Sequence, residues 1–494
     1  MTLGAQTQSF VFDRLKDKKL FRSFAYVDGA WVSGVDGRTI PVADPASGAY
    51  LGDVAALDRA QSLEAVAAAD RAFGDWSTLL PQERSRCLYQ WFRLMQDARE
   101  DLALLMTQEQ GKPLSESRGE IDYAASFLEF YSEEAKRPNI ESVTSHLHGA
   151  EMEVWLEPAG VAGLVTPWNF PSAMITRKAG AALAAGCTVV VHPSSETPFS
   201  ALALAELAER AGLPPGTFNV LTGHPAEVVG AWQETPAVRV LSFTGSTEVG
   251  RTLYGQSSAT MKRLVMELGG HAPFIVFADA DLERAVNEAI GAKFATSGQD
   301  CLAANRFLVE RSVYSSFCQA FAEKTAALSV GPGLDDPDIG PLMNEAALSK
   351  QISHVQDATD KGARILTGGE RHPAGALFYR PTVLCDVPAD ALIMHEETFG
   401  PVAPITPFDT EEEALARAND SEYGLVAYVH ARDPRRIYRA SRALQYGMVA
   451  VNRTKVTGAP IPFGGMKQSG LGREGAALGM QAYMEVKYVC RDWS

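Results

Sequence analysis

Between residues 161 and 276, short apolar runs alternate with amphipathic stretches, and no other feature narrows the fold of this chain as far. "VAGLVTP" precedes "SAMITRKAGAALAAG", and "TVVVHP" precedes "PFSALALAELAERAG". "TFNVLTG" and "VRVLSFTG" bracket a short helical stretch, and "KRLVMELGG" closes the series. Strands that are apolar on both faces must be covered on both, which describes a parallel sheet with helices above and below it. A second α/β series runs from "APFIVFADADLERAVNEAIGAKF" to about residue 460. Residues 24–48, rich in Gly, Asp and Pro, read as hairpins, and residues 61–135 carry helical periodicity. Within the latter, "QERSRCLYQWFRLMQDAREDLALLMTQEQG" reads as one helix stopped by Gly111 and Pro113. "SHLHGAEMEVWLEPAGV" (145–161) reads as a hairpin with an edge free to pair with another chain, and "QAYMEVKYVCRDW" as a late strand. The expected architecture is α/β, with two doubly wound domains and early and late β segments packed together.

At 494 residues the chain exceeds one simple core, so two or three domains are expected. The net charge of −15 argues against a nucleic-acid surface and leaves room for a local basic site. The opening "MTLGAQTQSFVFDRLKDKKL" lacks the apolar core of a signal peptide, and no apolar run reaches the ~18 residues a membrane helix needs. Six cysteines are scattered without a CxxC pair, which excludes the usual zinc spacings and fits reduced thiols in the cytoplasm. No metal is expected.

The turns after the strands come next, because ligands of parallel sheets bind at the strands' carboxyl ends. "FTGSTEVG" places Gly245, Ser246 and Gly250 between a strand and a helix, where backbone can approach a pyrophosphate; an ordinary tight turn is the alternative. "VVVHPSSETP" ends a strand with small polar residues that could face a ribose or merely cap a loop. "VTPWNFP" fixes Asn169 between prolines, giving either a rigid donor for developing negative charge or a structural turn. "MELGGHAPF" puts Glu267 at the end of an apolar strand, as a general base or a capping acceptor. "SGQDC" offers Cys301 at a loop–strand junction, either a partly accessible thiol or a buried structural cysteine. "HEETFGPVAP" and "PFGGMKQSGLGREG" are denser in Gly, Pro and charge than a connector needs.

Taken in order, PWNFP, PSSxTP, FTGSxxxG, ELGG, GQxC, EExFGPV and PFGGxKxSGxGREG resemble the aldehyde dehydrogenase superfamily from about residue 25 to the C-terminus. "AMITRKAGAALAAGC", "APFIVF", "LAANRF" and "MEVKYVC" look most like its succinate-semialdehyde dehydrogenases. The resemblance implies a cofactor-binding domain (1–135 and 153–266), a catalytic domain (267–462) and oligomerisation segments (136–152 and 463–494). By matched position it implies Cys301 as nucleophile, Asn169 with the Cys301 N–H as oxyanion site, and Glu267 as the base that hydrolyses a thioester. Cofactor contacts fall on Thr166, Pro167, Trp168, His192, Ser194, Ser195, Gly245, Ser246, Glu397 and Phe399, with NAD or NADP as acceptor. Arg177, Thr457 and Arg453 fall to the substrate, and Glu474 stands near the base. A cytoplasmic homodimer or homotetramer is implied, acting on a small aldehyde without nucleic acid or membrane.

Departures concern selectivity. His192 replaces the family's lysine at the adenosine ribose, and Ser195 a frequent glutamate, which leaves NAD against NADP open. Ala295 stands where succinate-semialdehyde enzymes carry an arginine, and Ala303 where many relatives carry a second cysteine. Lys455 adds positive charge near Arg453. The expected reaction is oxidation of an aldehyde with a distal anionic group, succinate semialdehyde being the nearest named one. Glutarate or 2-oxoglutarate semialdehyde, a sulfonated or phosphonated aldehyde, and broad specificity are the alternatives. A CoA-acylating enzyme is disfavoured by Glu267, and a catalytically silent binding protein by the presence of Asn169, Glu267, Cys301 and Glu397 together. Asp300 reads first as a solvated loop acid turned away from the thiol, the alternative being an inward charge that raises the cysteine pKa and repels an anionic substrate unless Arg177, Arg453 or Lys455 offsets it.

Overall fold

The computed structural model describes residues 10–137 and 139–493; residues 1–9, on which part of the leader reading rests, lie outside the described residues. Its largest sheet has eight strands in the order Gly470–Leu471, Arg263–Glu267, Val238–Thr244, Val161–Val165, Thr188–His192, Phe218–Val220, Ala25–Val27 and Ala30–Val32. The five central strands run parallel, and the flanking ones antiparallel. After Val161–Val165 the chain lays two strands on one side, then returns to lay Val238–Thr244 on the other. That reversal is a topological switch point, where a crevice opens beyond the carboxyl ends. Register carries the strand-end motifs to one level: Val165 pairs with His192 and with Phe243, and Thr244 with Glu267.

The second sheet has seven strands, ordered Arg364–Thr367, Thr382–Cys385, Val402–Phe408, Ala304–Glu310, Ala272–Val276, Val426–His430 and Met448–Val451. All neighbours are parallel except the first pair. Only Leu268 to His271 separate the last long strand of the first sheet from the first strand of the second. Glu267 therefore stands where the chain crosses between them. Returning later, Gly470 pairs with Glu267.

Three expectations need correction. The early and late β segments do not pack together: Tyr26 pairs with Val220 in the large sheet, while Met484–Asp492 pairs with Ala150–Pro158 over nine positions. The hairpin expected at 145–161 is formed by Ile140–Val143 and Ala150–Pro158, completing that three-stranded sheet. The single helix before Gly111 is two, Pro81–Asp97 and Arg99–Gln110, divided at Ala98 (φ −92°, ψ 8°). The break lets buried Asp101, in the second helix's first turn, accept from the Lys16 and Asp17 backbone N–H groups at 3.0 and 2.8 Å. Among the described residues no helix is long and apolar enough to cross a membrane.

Candidate active site

Cys301 ends a loop whose backbone is held in an unfavourable shape. Thr296 (φ 51°), Ser297 (φ 57°) and Gly298 (φ 72°) are consecutively left-handed, at a cost of roughly 1–2 kcal/mol for each residue with a side chain. Gly298 is required, because a Cβ there would lie 2.3 Å from the Gly400 carbonyl oxygen. Surrounding bonds impose the shape. The Thr296 N–H donates to both Glu116 oxygens (3.0 and 3.1 Å), and Ser297 Oγ to the Gly340 carbonyl (3.0 Å). Gln299 Nε2 donates to the Pro341 carbonyl (3.2 Å), and Gln299 Oε1 accepts from Met343 N (2.9 Å). Asn169 Nδ2 donates to the Gln299 carbonyl at 3.0 Å, which brings the PWNFP amide to the loop before Cys301. Lys112 Nζ in turn donates to the Asn169 backbone carbonyl (2.7 Å) and to Glu120 (2.6 Å).

A cavity of about 350 Å³ opens onto Cys301. Glu116, Gly119, Glu120 and Tyr123 line it from one face of the helix Leu114–Glu134. Lys112, Phe170, Met174, Arg177, Ala295, Thr296, Asp300, Leu302, Lys455, Thr457 and Phe463 complete the wall. Of the expected substrate contacts, Arg177 and Thr457 line the cavity, whereas Arg453 does not; Lys455, likewise exposed, lines it instead. The reading of Asp300 as a solvated acid turned away is also overturned. Its half-buried carboxylate faces the cavity, accepts from Leu302 N at 2.9 Å and hydrogen-bonds the Cys301 thiol. Burial and then Asp300 push the Cys301 thiol well above its ordinary range, against the pull of Arg177.

Behind the thiol two carboxylates are set apart by their surroundings. Glu267 is buried, and neither of its oxygens has a hydrogen-bond partner among the described residues. Burial, and then Glu474, raise it well above the usual carboxylate range. Burial works the same way on Glu474, but Lys178 and Arg177 outweigh it and hold that carboxyl below its ordinary value. The Arg177 Nε lies 2.7 Å from Glu474, and Lys178 Nζ bonds both Glu474 and Ser242. The surroundings thus push the two carboxyls apart, Glu474 toward the ionised form and Glu267 toward the protonated one, the separation expected of an acid–base site. A Cβ at Gly464 would lie 2.7 Å from Glu267 Oε1, so the first glycine of "FGGM" gives the carboxyl its room.

On the other side of the large sheet's carboxyl edge lies a groove of about 820 Å³, walled by Val165, Pro225, Val229, Phe243, Val249 and Leu253. Ser246 caps the helix Thr247–Ser257, accepting from Val249 N at 3.3 Å, so free N–H groups and the positive helix end face outward. A Cβ on Gly245 would meet the Phe243 ring at 2.5 Å. Toward the thiol, Glu397 accepts from Gly270 N (2.7 Å), and burial pushes its carboxyl up to about 7. The Trp168 and Phe399 rings meet edge-on, 5.5 Å apart. An apolar slot for a base, a helix N-terminus for phosphates and a carboxylate near the nucleophile fit a nicotinamide dinucleotide. The expected contacts do not all gather there. His192 is buried with Nδ1 2.9 Å from the Leu221 carbonyl oxygen, and burial pushes its imidazole down to about 4, so it is neutral. Thr166 is buried with its N–H on the His192 carbonyl (3.1 Å), Pro167 and Ser194 are half-buried, and Ser195 is exposed.

Lys112, Glu116, Glu120, Tyr123 and Lys178 escaped the sequence reading, although signals existed. Glu116, Glu120 and Tyr123 share a helical face by spacing, and Arg177–Lys178 sit in an otherwise apolar helix, where buried cations demand buried partners.

Two doubly wound sheets, a groove shaped for a dinucleotide and a cavity opening onto a thiol define an oxidoreductase fold. The chain belongs to the aldehyde dehydrogenase family, whose model matches residues 31–489, and it is an oxidoreductase acting on the aldehyde group. It is 51% identical over 479 residues to a non-phosphorylating aspartate-semialdehyde dehydrogenase of Halomonas elongata, covering 97% of each chain. It is 49% identical over 478 residues to an NADP(+) succinate-semialdehyde dehydrogenase of Escherichia coli, covering 97% of this chain and 99% of that one. The crystal structure of a succinate-semialdehyde dehydrogenase from Burkholderia pseudomallei superposes with a TM-score of 0.96 at 48% identity, over 97% of this chain and 100% of that one.

Proposed function

We propose that the protein oxidises a semialdehyde with a distal anionic group, of which succinate semialdehyde is one example, to the carboxylic acid with NAD or NADP. The observation that carries this reading is a single cavity holding Cys301 together with Arg177, Lys455 and Thr457. The relatives named above for aspartate and succinate semialdehydes act on chains with an aldehyde at one end and a carboxylate at the other.

In this mechanism the Cys301 thiolate attacks the aldehyde carbon, forming a C–S bond and a thiohemiacetal oxyanion. Asn169 Nδ2 and the Cys301 N–H donate to that oxyanion, Asn169 exchanging its bond to the Gln299 carbonyl for it. Gly245, Ser246 and Glu397, with Trp168 and Phe399 alongside, would hold the dinucleotide, which would supply the hydride acceptor for the oxidation. Glu267 then takes a proton from water, whose oxygen attacks the thioester; the C–S bond breaks and the thiolate leaves. Overall, aldehyde, water and the oxidised cofactor give carboxylate, the reduced cofactor and two protons.

The unit built on the eight-stranded sheet holds the cofactor, and the seven-stranded unit supplies the nucleophile. The protein works in the cytoplasm as a homodimer or homotetramer, a reading supported by six unpaired cysteines and by exposed Val486, Tyr488 and Trp493 beside the small sheet. The test is reduction of NAD or NADP by a panel of aldehydes. Semialdehydes should exceed propanal in kcat/KM, and Cys301→Ser should lose at least about 10³-fold. Turnover retained by Cys301→Ser would end the covalent mechanism, and equal rates for propanal would end anion recognition.

A further inference from the structure

The charges around Cys301 do not add up to a purely anion-binding cavity. Lys112 is engaged by Glu120 (2.6 Å) and the Asn169 carbonyl (2.7 Å), and Arg177 Nε by Glu474 (2.7 Å). Two carboxylates remain. Asp300 accepts from Leu302 N and Glu116 from Thr296 N, but neither forms an ion pair among the described residues. Each lines the cavity, and the charge of Asp300 is felt at Glu116. Any aldehyde that reaches Cys301 fills this space and expels water, leaving both acids with only the distant charge of Lys112, and for Asp300 of Arg177, each already engaged by another carboxylate, which is costly. A substrate carrying only an anion deepens that cost. One that also carries a cation removes it.

The anion is provided for elsewhere in the same wall. Lys455 forms no ion pair among the described residues, and Thr457 lies beside it in the lining. The buried Arg177 guanidinium turns Nη2 toward the thioether of Met174 at 2.9 Å, a weak acceptor that a carboxylate displaces readily.

Building on the reading of a semialdehyde oxidase, we propose that the substrate is an amino-acid semialdehyde, its ammonium taken by Asp300 and Glu116 and its carboxylate by Lys455, Thr457 and Arg177. Asp300 adjoins the nucleophile in sequence and in space, so the ammonium lies only a few bonds from the aldehyde carbon and the chain is short.

The matched pair for the test is L-aspartate 4-semialdehyde and succinate semialdehyde, which differ by one ammonium group. With the full-length enzyme and its cofactor, kcat/KM should favour the amino compound by at least about tenfold. Asp300→Asn and Glu116→Gln should each cut that ratio by about tenfold or more, since each removes a partner of a desolvated charge. Independently of any variant's folding, L-2-aminobutyrate should inhibit the wild-type enzyme competitively at a lower concentration than butyrate. A wild-type preference for succinate semialdehyde, or a ratio that neither substitution changes, overturns the proposal while leaving semialdehyde oxidation standing. Failure of every aldehyde to reduce the cofactor overturns both.

Discussion

The groove and the cavity share no lining residue, and they are made of different materials. The groove is walled by apolar side chains, and its only charged lining residues, Arg59 and Glu234, are paired with each other. What it offers phosphates is backbone: Gly245, Ser246 and the first turn of an eleven-residue helix. The cavity is lined by six charged side chains drawn from the segments around residues 112–120, 177, 300 and 455. A cofactor shared by many reactions can be recognised by shape and main chain, which one local motif encodes. A particular substrate needs side-chain charges, which only the folded chain assembles.

Substitutions should separate the two regions. The largest effect is expected at Glu267, which belongs to neither recognition surface. Glu267→Gln should slow steady-state turnover by about 10²–10⁴-fold while rapid mixing still shows a first-turnover burst of reduced cofactor. Loss of the burst as well would place Glu267 in the hydride-yielding half of the reaction. Next, Gly245→Val drives a side chain into the Phe243 ring, a clash worth about 1–3 kcal/mol. It should raise the KM for the dinucleotide by about tenfold or more and move the aldehyde KM by less than about twofold. A comparable rise in both would mean that groove and cavity are not independent. The smallest effect concerns pH. Cys301 and Glu267 must both lose protons and both are raised, so kcat/KM should climb as pH rises. Asp300 contributes to the rise at Cys301, so Asp300→Asn should shift the thiol's limb to lower pH. A shift in the opposite direction would show that Asp300 does not act on the thiol through its charge.

The same contrast explains what was legible in the sequence. The parallel strands could be read from continuous apolar runs, and Asn169, Gly245 and Glu267 from their positions just after those runs. The arrangement of the late strand could not, because nine cross-strand pairs with Ala150–Pro158 outcompete any local preference. Asp300 was misread because a loop acid is usually solvated; its burial follows from the left-handed turn before it and from the wall opposite, neither of which is local. Arg453 and Lys455 are two residues apart and both exposed, and only the fold decides which of them lines the cavity. His192 kept its place at the strand end but spends its imidazole on a carbonyl of the neighbouring segment.

The loop before Cys301 has a consequence for the life of the protein as well as for its chemistry. Its three left-handed residues and Gln299 are fastened by Glu116, Asn169, Gly340, Pro341 and Met343, which come from distant stretches of both sheet units. A nascent or heat-damaged chain missing either unit has nothing to impose that backbone, and it relaxes. The placement of the Cys301 sulfur beside Asn169 is thereby a property of the completed assembly alone, and a half-built molecule lacks it.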